Sequence, residues 1–202
     1  WKYCDIWTTI TVVNAIASAP GYGKSRGSRK NSARVQNSDQ SSENRAFMHR
    51  RKRMKFNEFY AGQQISAGPY EVKLDEVLEF ARAYDPQWFH VDTEASANGP
   101  FKGLIASGWH TCSIAMRLIV DAALADSETY ASPGLNYVKW PHPVRPADRL
   151  TLRATVIEVR RSSSSPQLGI LRWRWQLHNQ HEVEVLDLEA TSFFELAQES
   201  QS

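Results

Sequence analysis

Apolar and polar residues alternate in three stretches near the end of the chain, and this pattern predicts β-strands. The stretches are residues 150–159, 168–177 and 183–194. In the middle stretch, Trp173 and Trp175 share one parity with two leucines, whereas Arg and Gln occupy most of the other parity. Because successive side chains of a strand point to opposite faces of its sheet, we predict antiparallel strands joined by polar turns. Two earlier strands are predicted near residues 64–73 and 134–140.

The spacing of apolar residues is helical in two other segments. Residues 74–83 carry apolar side chains three and four positions apart, which predicts a short amphipathic helix. Residues 109–125 are apolar almost all round, which predicts a long helix that is buried on every side. Ser107 and Gly108 stand where that helix should begin. One long helix with about five antiparallel strands predicts an α+β fold, in which the sheet curls around the helix.

The composition changes this picture little. The chain of 202 residues has no apolar run of about 18 residues, so we expect no membrane partner. Its two cysteines, Cys4 and Cys112, do not form a framework of spaced pairs. Free thiols favour a reducing, cytoplasmic location.

The net charge of +2 divides unevenly along the chain. Residues 1–53 carry 11 Lys and Arg against 3 Asp and Glu, whereas residues 54–202 carry 13 against 19. Within the basic part, residues 21–44 are rich in Ser, Arg, Asn and Gly and contain few apolar side chains, which predicts disorder. We therefore expect a basic extension over 1–53 and one folded domain over 54–202.

Four interpretations of the basic extension are open. A basic arm can bind nucleic acid, and an Arg-rich and Ser-rich leader can be a transit peptide. Residues 6–19 faintly resemble the apolar region of a signal peptide. The interpretation that we favour is that residues 1–53 are not native coding sequence, because the chain starts on Trp and the segment from Met54 reads as a domain by itself. We accordingly expect no nucleic-acid partner.

The candidate chemistry lies between the two predicted helices. Asp85 and His90 are five residues apart in a Pro-containing segment that we predict to be non-helical, so their side chains can converge. A carboxylate can orient an imidazole for acid–base work near neutral pH. An Asp that ends a helix and a purely structural His would explain the same residues.

Gly108 adds a second candidate group. Backbone N–H groups at a helix N-terminus lack intrahelical acceptors and lie at the positive end of the helix dipole, so they can bind an oxygen that becomes negative. A glycine also lets a ligand approach the backbone closely. Alternatively, Gly108 simply permits the turn into the helix.

Several ordered motifs around these residues resemble one family. Asp85 and His90 are followed by Asp92, by the run GLIASG over residues 103–108, and by WPHPVRPADRL over residues 140–150. This order resembles that of the MaoC-like dehydratases, which include the (R)-specific enoyl-CoA hydratases, and the resemblance extends over roughly residues 56–196. The family pattern has Asn-Pro between its Asp and its His, where this chain has Gln and Trp.

The resemblance implies a hotdog fold, with the long helix inside the curled sheet. It also implies a hydro-lyase that adds or removes water at the 2,3-bond of enoyl or 3-hydroxyacyl thioesters of coenzyme A or acyl carrier protein. Asp85 and His90 would hold the water, and the Gly108 N–H would bind the thioester oxygen. No metal or other cofactor is implied, and the family forms homodimers or larger assemblies.

Further residues near these motifs are candidates for contact with the substrate. They are Trp88, Ser107, Trp109, His110 and Met116. Core packing would also explain His110 and Met116. Asp92 and His90 form a His-x-Asp pair, but a zinc site needs three or four ligands, so we expect Asp92 to cap the next turn.

Two other functions fit the same fold. A hotdog thioesterase would use a carboxylate from the long helix, where Asp121 is available. A non-catalytic acyl-CoA-binding subunit would keep the fold without the reaction. The presence of both Asp85 and His90 favours hydration over either alternative.

Overall fold

Five antiparallel strands dominate the part of the chain that this computed structural model describes, residues 54–197. The strands are β1 (Gln64–Glu71), β2 (Thr129–Lys139), β3 (Arg149–Arg161), β4 (Leu168–His178) and β5 (Glu184–Glu195). Their order in the single sheet is β1-β3-β4-β5-β2, so β1 and β2 are its two edges. The predicted sheet is thereby confirmed. The predicted basic extension, 1–53, lies outside the described residues.

The alternation that predicted β4 is also the pattern of its burial. Trp173 and Trp175 are buried in the core, together with the leucines of the same parity. Arg172 and Arg174 point to the other face, where they form ion pairs with carboxylates of neighbouring strands. One face of the sheet is therefore apolar and the other is charged.

Four α-helices accompany the sheet in the described part of the chain. They are α1 (Leu74–Tyr84), α2 (Trp88–Val91), α3 (Thr93–Asn98) and α4 (Gly108–Ile119), and a π-helical turn, Val120–Leu124, extends α4. Ile114 and Ile119 of α4 are buried in the same core cluster as the apolar face of the sheet. None of the helices within residues 54–197 is long and apolar enough to cross a bilayer.

The predicted long helix is confirmed, but its burial on every side was wrong. The side chains of Trp109 and Met116 are 58% and 47% exposed. The sheet of one chain covers only one side of α4, so the apolar residues on its other side stay open.

The prediction of a non-helical segment between Asp85 and His90 was also partly wrong. His90 lies within α2, whose four residues are too few to show a helical period. Asp85 is outside any helix, with φ −149° and ψ 66°, because the Pro86 that follows it disfavours helical backbone.

Candidate active site

Asp85 and His90 converge because a short turn joins the end of α1 to α2. The Asp85 N–H donates to the Ala81 carbonyl, which closes the last turn of α1. The Gln87 N–H then donates to the Asp85 carbonyl, and the His90 N–H donates to that of Gln87. As a result, His90 Nε2 lies 3.3 Å from Asp85 Oδ2. The predicted convergence is confirmed.

The surroundings of His90 fix which ring nitrogen carries the proton. His90 is buried, and its Nδ1 lies 2.9 Å from the Ile105 carbonyl oxygen. A carbonyl only accepts hydrogen bonds, so Nδ1 is the donor. In the neutral ring, Nε2 is then an acceptor that faces a carboxylate oxygen. Two acceptors at this distance repel each other unless Nε2 carries a proton or a third group donates a hydrogen bond to each of them.

Two donors hold the Asp85 carboxylate. Gln87 Nε2 donates to Oδ1 at 2.8 Å, and Ser107 Oγ donates to Oδ2 at 2.7 Å. These hydrogen bonds, with a smaller contribution from His90, hold the pKa of Asp85 below its usual range. Asp85 is therefore an ionised base at neutral pH. The partnership with Gln87 was not predicted, although its place in the motif would have pointed to it.

Ser107 joins this carboxylate to the start of α4. Its side chain is fully buried, and its Oγ accepts from the Trp109 N–H at 3.2 Å as the N-cap of the helix. Gly108 is the first residue of α4, so its N–H lies among the unpaired donors at the positive end of the helix. The carboxylate, the imidazole and this helix terminus form one connected group.

The other predicted substrate contacts lie at different depths. His110 is buried and stacks on Phe80, with ring centroids 4.8 Å apart. Burial lowers its pKa, and its Nδ1 has no hydrogen-bond partner among residues 54–197. This placement agrees with a core histidine. Trp88, Trp109 and Met116 are each partly exposed, so their role as substrate contacts stays a prediction.

Asp92 has the structural role that was expected. Its Oδ1 accepts from the N–H groups of Glu94 and Ala95 at 3.0 and 2.9 Å, and so it caps α3. Across residues 54–197, no group of three or more His, Cys, Asp or Glu side chains is arranged to hold a metal ion. Asp121, the carboxylate considered for a thioesterase, forms an ion pair with Arg117 at 2.7 Å.

Two surface depressions of the described domain lie away from the catalytic candidates. One shallow depression lies along α1 and another lies beside the start of β2, and neither is lined by Asp85 or His90. His90 is buried, but 19% of the Asp85 side chain is exposed. Only the carboxylate of the pair is therefore partly open to solvent in the described domain.

A family model and several known sequences match this chain. The family model for the MaoC like domain matches residues 57–169. The uncharacterized protein YdeM of Bacillus subtilis is 34% identical over 135 residues, which cover 66% of this chain and 94% of that protein. The 3-hydroxyacyl-thioester dehydratase Z of Mycobacterium tuberculosis is 33% identical over 102 residues, which cover 49% of this chain and 68% of that enzyme.

Solved structures agree with the sequence matches. A MaoC-like dehydratase from Rhodospirillum rubrum has a TM-score of 0.66 and 31% identity, and the match covers 71% of this chain and 97% of that one. The R-hydratase PhaJ1 from Pseudomonas aeruginosa has a TM-score of 0.57 at 21% identity, covering 73% and 94% of the two chains. The second likeness concerns the fold alone. The predicted hotdog architecture is confirmed.

Proposed function

This chain belongs to the MaoC-like dehydratase family, and we propose that it adds water to, or removes water from, the 2,3-bond of enoyl and 3-hydroxyacyl thioesters. Membership of the family supports a hydratase or dehydratase activity in general. The observation that carries the proposal is the 3.3 Å approach of His90 Nε2 to Asp85 Oδ2. Ser107 ties this pair to the N-terminus of α4.

The pair is suited to orienting one water molecule. Asp85 Oδ2 and the neutral His90 Nε2 both accept hydrogen bonds, so a water can donate one O–H to each. Its lone pairs then point away from the pair, towards the substrate. During hydration the water oxygen attacks C3, the pair takes a proton from the water, and the pair delivers a proton to C2. The two residues act as one coupled unit.

The start of α4 would stabilise the charge that this attack creates. As oxygen adds to C3, negative charge moves to the thioester carbonyl oxygen. The Gly108 N–H is the donor that we assign to this oxygen. A donor in this role is worth about 100-fold or more in rate, and general acid–base catalysis adds roughly 100- to 10,000-fold.

The acyl carrier in this proposal is coenzyme A or acyl carrier protein, and the hydroxy product has the (3R) configuration. The reaction as written needs no metal or redox cofactor. Trp88, Trp109 and Met116 are the proposed substrate contacts, and their partial exposure supports this role. We further propose that the protein is cytoplasmic and forms a homodimer. The dimer is supported by Tyr130 and Leu135, which are exposed on the edge strand β2.

A thioesterase has less support. The Asp121 carboxylate on the π-helical turn is engaged by Arg117, whereas Asp85 is placed beside an imidazole that can share its proton. A water activated by that pair can still attack the thioester carbonyl, so thiol release must be measured alongside hydration.

The test uses Asp85→Asn and His90→Ala with a short trans-2-enoyl-CoA as substrate. We expect each variant to lose at least about 100-fold in kcat and to keep one cooperative unfolding transition. His90→Ala should lose more melting temperature than Asp85→Asn, because the imidazole is buried and bonded to the Ile105 carbonyl. In the reverse direction, (3R)-3-hydroxyacyl-CoA should be dehydrated and the (3S) isomer should not. Full activity in both variants would refute the assignment of the site.

A further inference from the structure

The peptide that joins Gly108 to Trp109 is held at both ends. Its carbonyl oxygen, on Gly108, accepts from Trp140 Nε1 at 3.0 Å. Its N–H, on Trp109, donates to Ser107 Oγ at 3.2 Å. The orientation of this peptide is therefore set by two side chains from outside α4.

The Trp140 ring also occupies the space where residue 108 would carry a side chain. A Cβ added to Gly108 would lie 2.6 Å from Cε2 of Trp140, 2.9 Å from Cδ2 and 3.0 Å from Cζ2. These distances are well inside van der Waals contact, and a rigid ring cannot move one edge aside without moving the whole indole. The packing of Trp140 thus requires glycine at position 108, independently of any ligand.

Trp140 is itself restrained. It directly follows the last residue of β2, and Pro141 limits the backbone that comes after it. The Trp109 ring packs edge-on against the indole, with centroids 5.7 Å apart and an interplanar angle of 76°. Although 41% of Trp140 is exposed, these contacts hold its N–H at the start of α4.

We propose that Trp140 is a positioning residue of the hydratase site and that Gly108 lacks a side chain in order to admit its ring. This inference rests on the proposed function. Glycine gives the first turn of α4 backbone freedom, which would let the Gly108 N–H turn away from the thioester oxygen. Trp140 removes that freedom. The ring fills the side-chain space of residue 108 and its N–H holds the Gly108 carbonyl, so the indole restrains the residue that carries the donor. A chain of hydrogen bonds also runs from Trp140 through the Gly108–Trp109 peptide to Ser107 and on to Asp85, which links the same indole to the base.

The test is a double-mutant cycle in the full chain with Gly108→Ala, Trp140→Ala and the double variant. We expect Gly108→Ala to lower kcat about 100-fold and the melting temperature by roughly 3–8 °C, because the new methyl group displaces the ring. Trp140→Ala should lower kcat about 10-fold. The double variant should be about 10-fold more active than Gly108→Ala and should regain part of the lost melting temperature.

Two further variants separate positioning from packing. Trp140→Phe keeps an aromatic ring but loses the indole N–H, and we expect kcat to fall about 5-fold with little change in KM. Tyr60→Ala is the control, since it removes another exposed aromatic side chain, 64% exposed, and should leave kcat unchanged.

Each result bears on one claim. A double variant no better than Gly108→Ala, in both activity and melting temperature, would overturn the steric relation between the two residues. Wild-type kcat in Trp140→Phe would overturn the positioning role. If the wild type hydrated no enoyl thioester, the proposed function would fail, and the positioning role with it. The melting temperatures of the cycle would still decide whether Gly108 serves the Trp140 ring.

Discussion

Replacing Ser107 tests whether one hydroxyl both holds the catalytic base and caps the central helix. Ser107→Ala removes the 2.7 Å bond to Asp85 Oδ2 and the 3.2 Å bond from the Trp109 N–H. Ser107→Gly removes the same hydroxyl, but glycine is tolerated at an N-cap far better than alanine. The two variants therefore separate the helix cap from the contact with the carboxylate.

The size of the effect on stability follows from these contacts. Losing the cap to alanine costs about 1 kcal/mol, against a few tenths for glycine. The lost hydrogen bond to Asp85 costs about 1 kcal/mol more, which is below the roughly 1.5–3 kcal/mol typical of a charged acceptor. We choose the lower value because 19% of the Asp85 side chain is exposed, so water can replace the lost donor. We expect Ser107→Ala to lose about 2 kcal/mol, or roughly 4–8 °C in Tm, and Ser107→Gly about half as much.

The effect on activity should be the same in both variants. Without the Ser107 donor, the pKa of Asp85 rises towards its ordinary value. Asp85 must be ionised to accept a proton, so the acidic limb of the kcat/KM profile should move to higher pH. Because the pKa of Asp85 is depressed in the folded state, its contribution to stability is present above the ordinary carboxyl pKa. It is lost as pH falls through the lowered value, so the difference in Tm between wild type and variants should narrow in acid.

The assay is the pH profile of enoyl-CoA hydration, with Tm measured across the same pH range. Ser113→Ala is a matched control, because its hydroxyl bonds a carbonyl on the exposed side of the same helix. An unchanged acidic limb in both Ser107 variants would show that the hydroxyl does not hold the carboxylate. Equal loss of Tm in Ala and Gly would refute the role as a cap.

Three more predictions follow from other contacts. Gln87→Leu removes the donor to Asp85 Oδ1, so it should also move the acidic limb to higher pH, while Tm at neutral pH changes by less than about 2 °C because Gln87 is exposed. Arg174→Met removes two hydrogen bonds to Asp187 and leaves the one from the Tyr137 hydroxyl. The bonds from Arg174 are the main cause of the low pKa of that carboxyl, so we expect a loss of about 1–2 kcal/mol by thermal unfolding at pH 7 that shrinks below about pH 4. An equal loss at pH 3 would contradict this. Burial raises the pKa of Cys112 to about 11, so iodoacetamide at pH 8 should label it in the unfolded protein and far more slowly in the native one, as peptide mass spectrometry would show.

The fold was predictable because its longest elements follow one period each. In β4 the two tryptophans and the two arginines occupy alternate positions. Such alternation places the apolar side chains on one face of a sheet and the charged ones on the other, which predicts a strand. The four residues of α2 are too few for any period, so His90 was placed outside a helix. The exposed face of α4 was missed because hydropathy along a chain does not show how many sides of a helix the sheet covers.

The sequence indicated the residues of the candidate site but not the contacts between them. Asp85, His90 and Gly108 were found through motifs whose order is visible in the sequence. The bond from Ser107 to Asp85 joins residues 22 positions apart, and the bond from Trp140 to Gly108 joins residues 32 apart. Such contacts depend on how α1, α4 and the loop after β2 meet. The sequence offered a ligand or the turn into α4 as the reason for Gly108, whereas the fold places the indole of Trp140 against it.

The most direct test of the account mixes the full chain with a short trans-2-enoyl-CoA, and follows the conjugated enoyl absorbance while free thiol is assayed in parallel. We predict that the absorbance falls without release of thiol, and that it does not fall with Asp85→Asn. Release of thiol at the rate at which conjugation is lost, or hydration that persists unchanged in Asp85→Asn, would contradict the claim that Asp85 and His90 add water across the double bond.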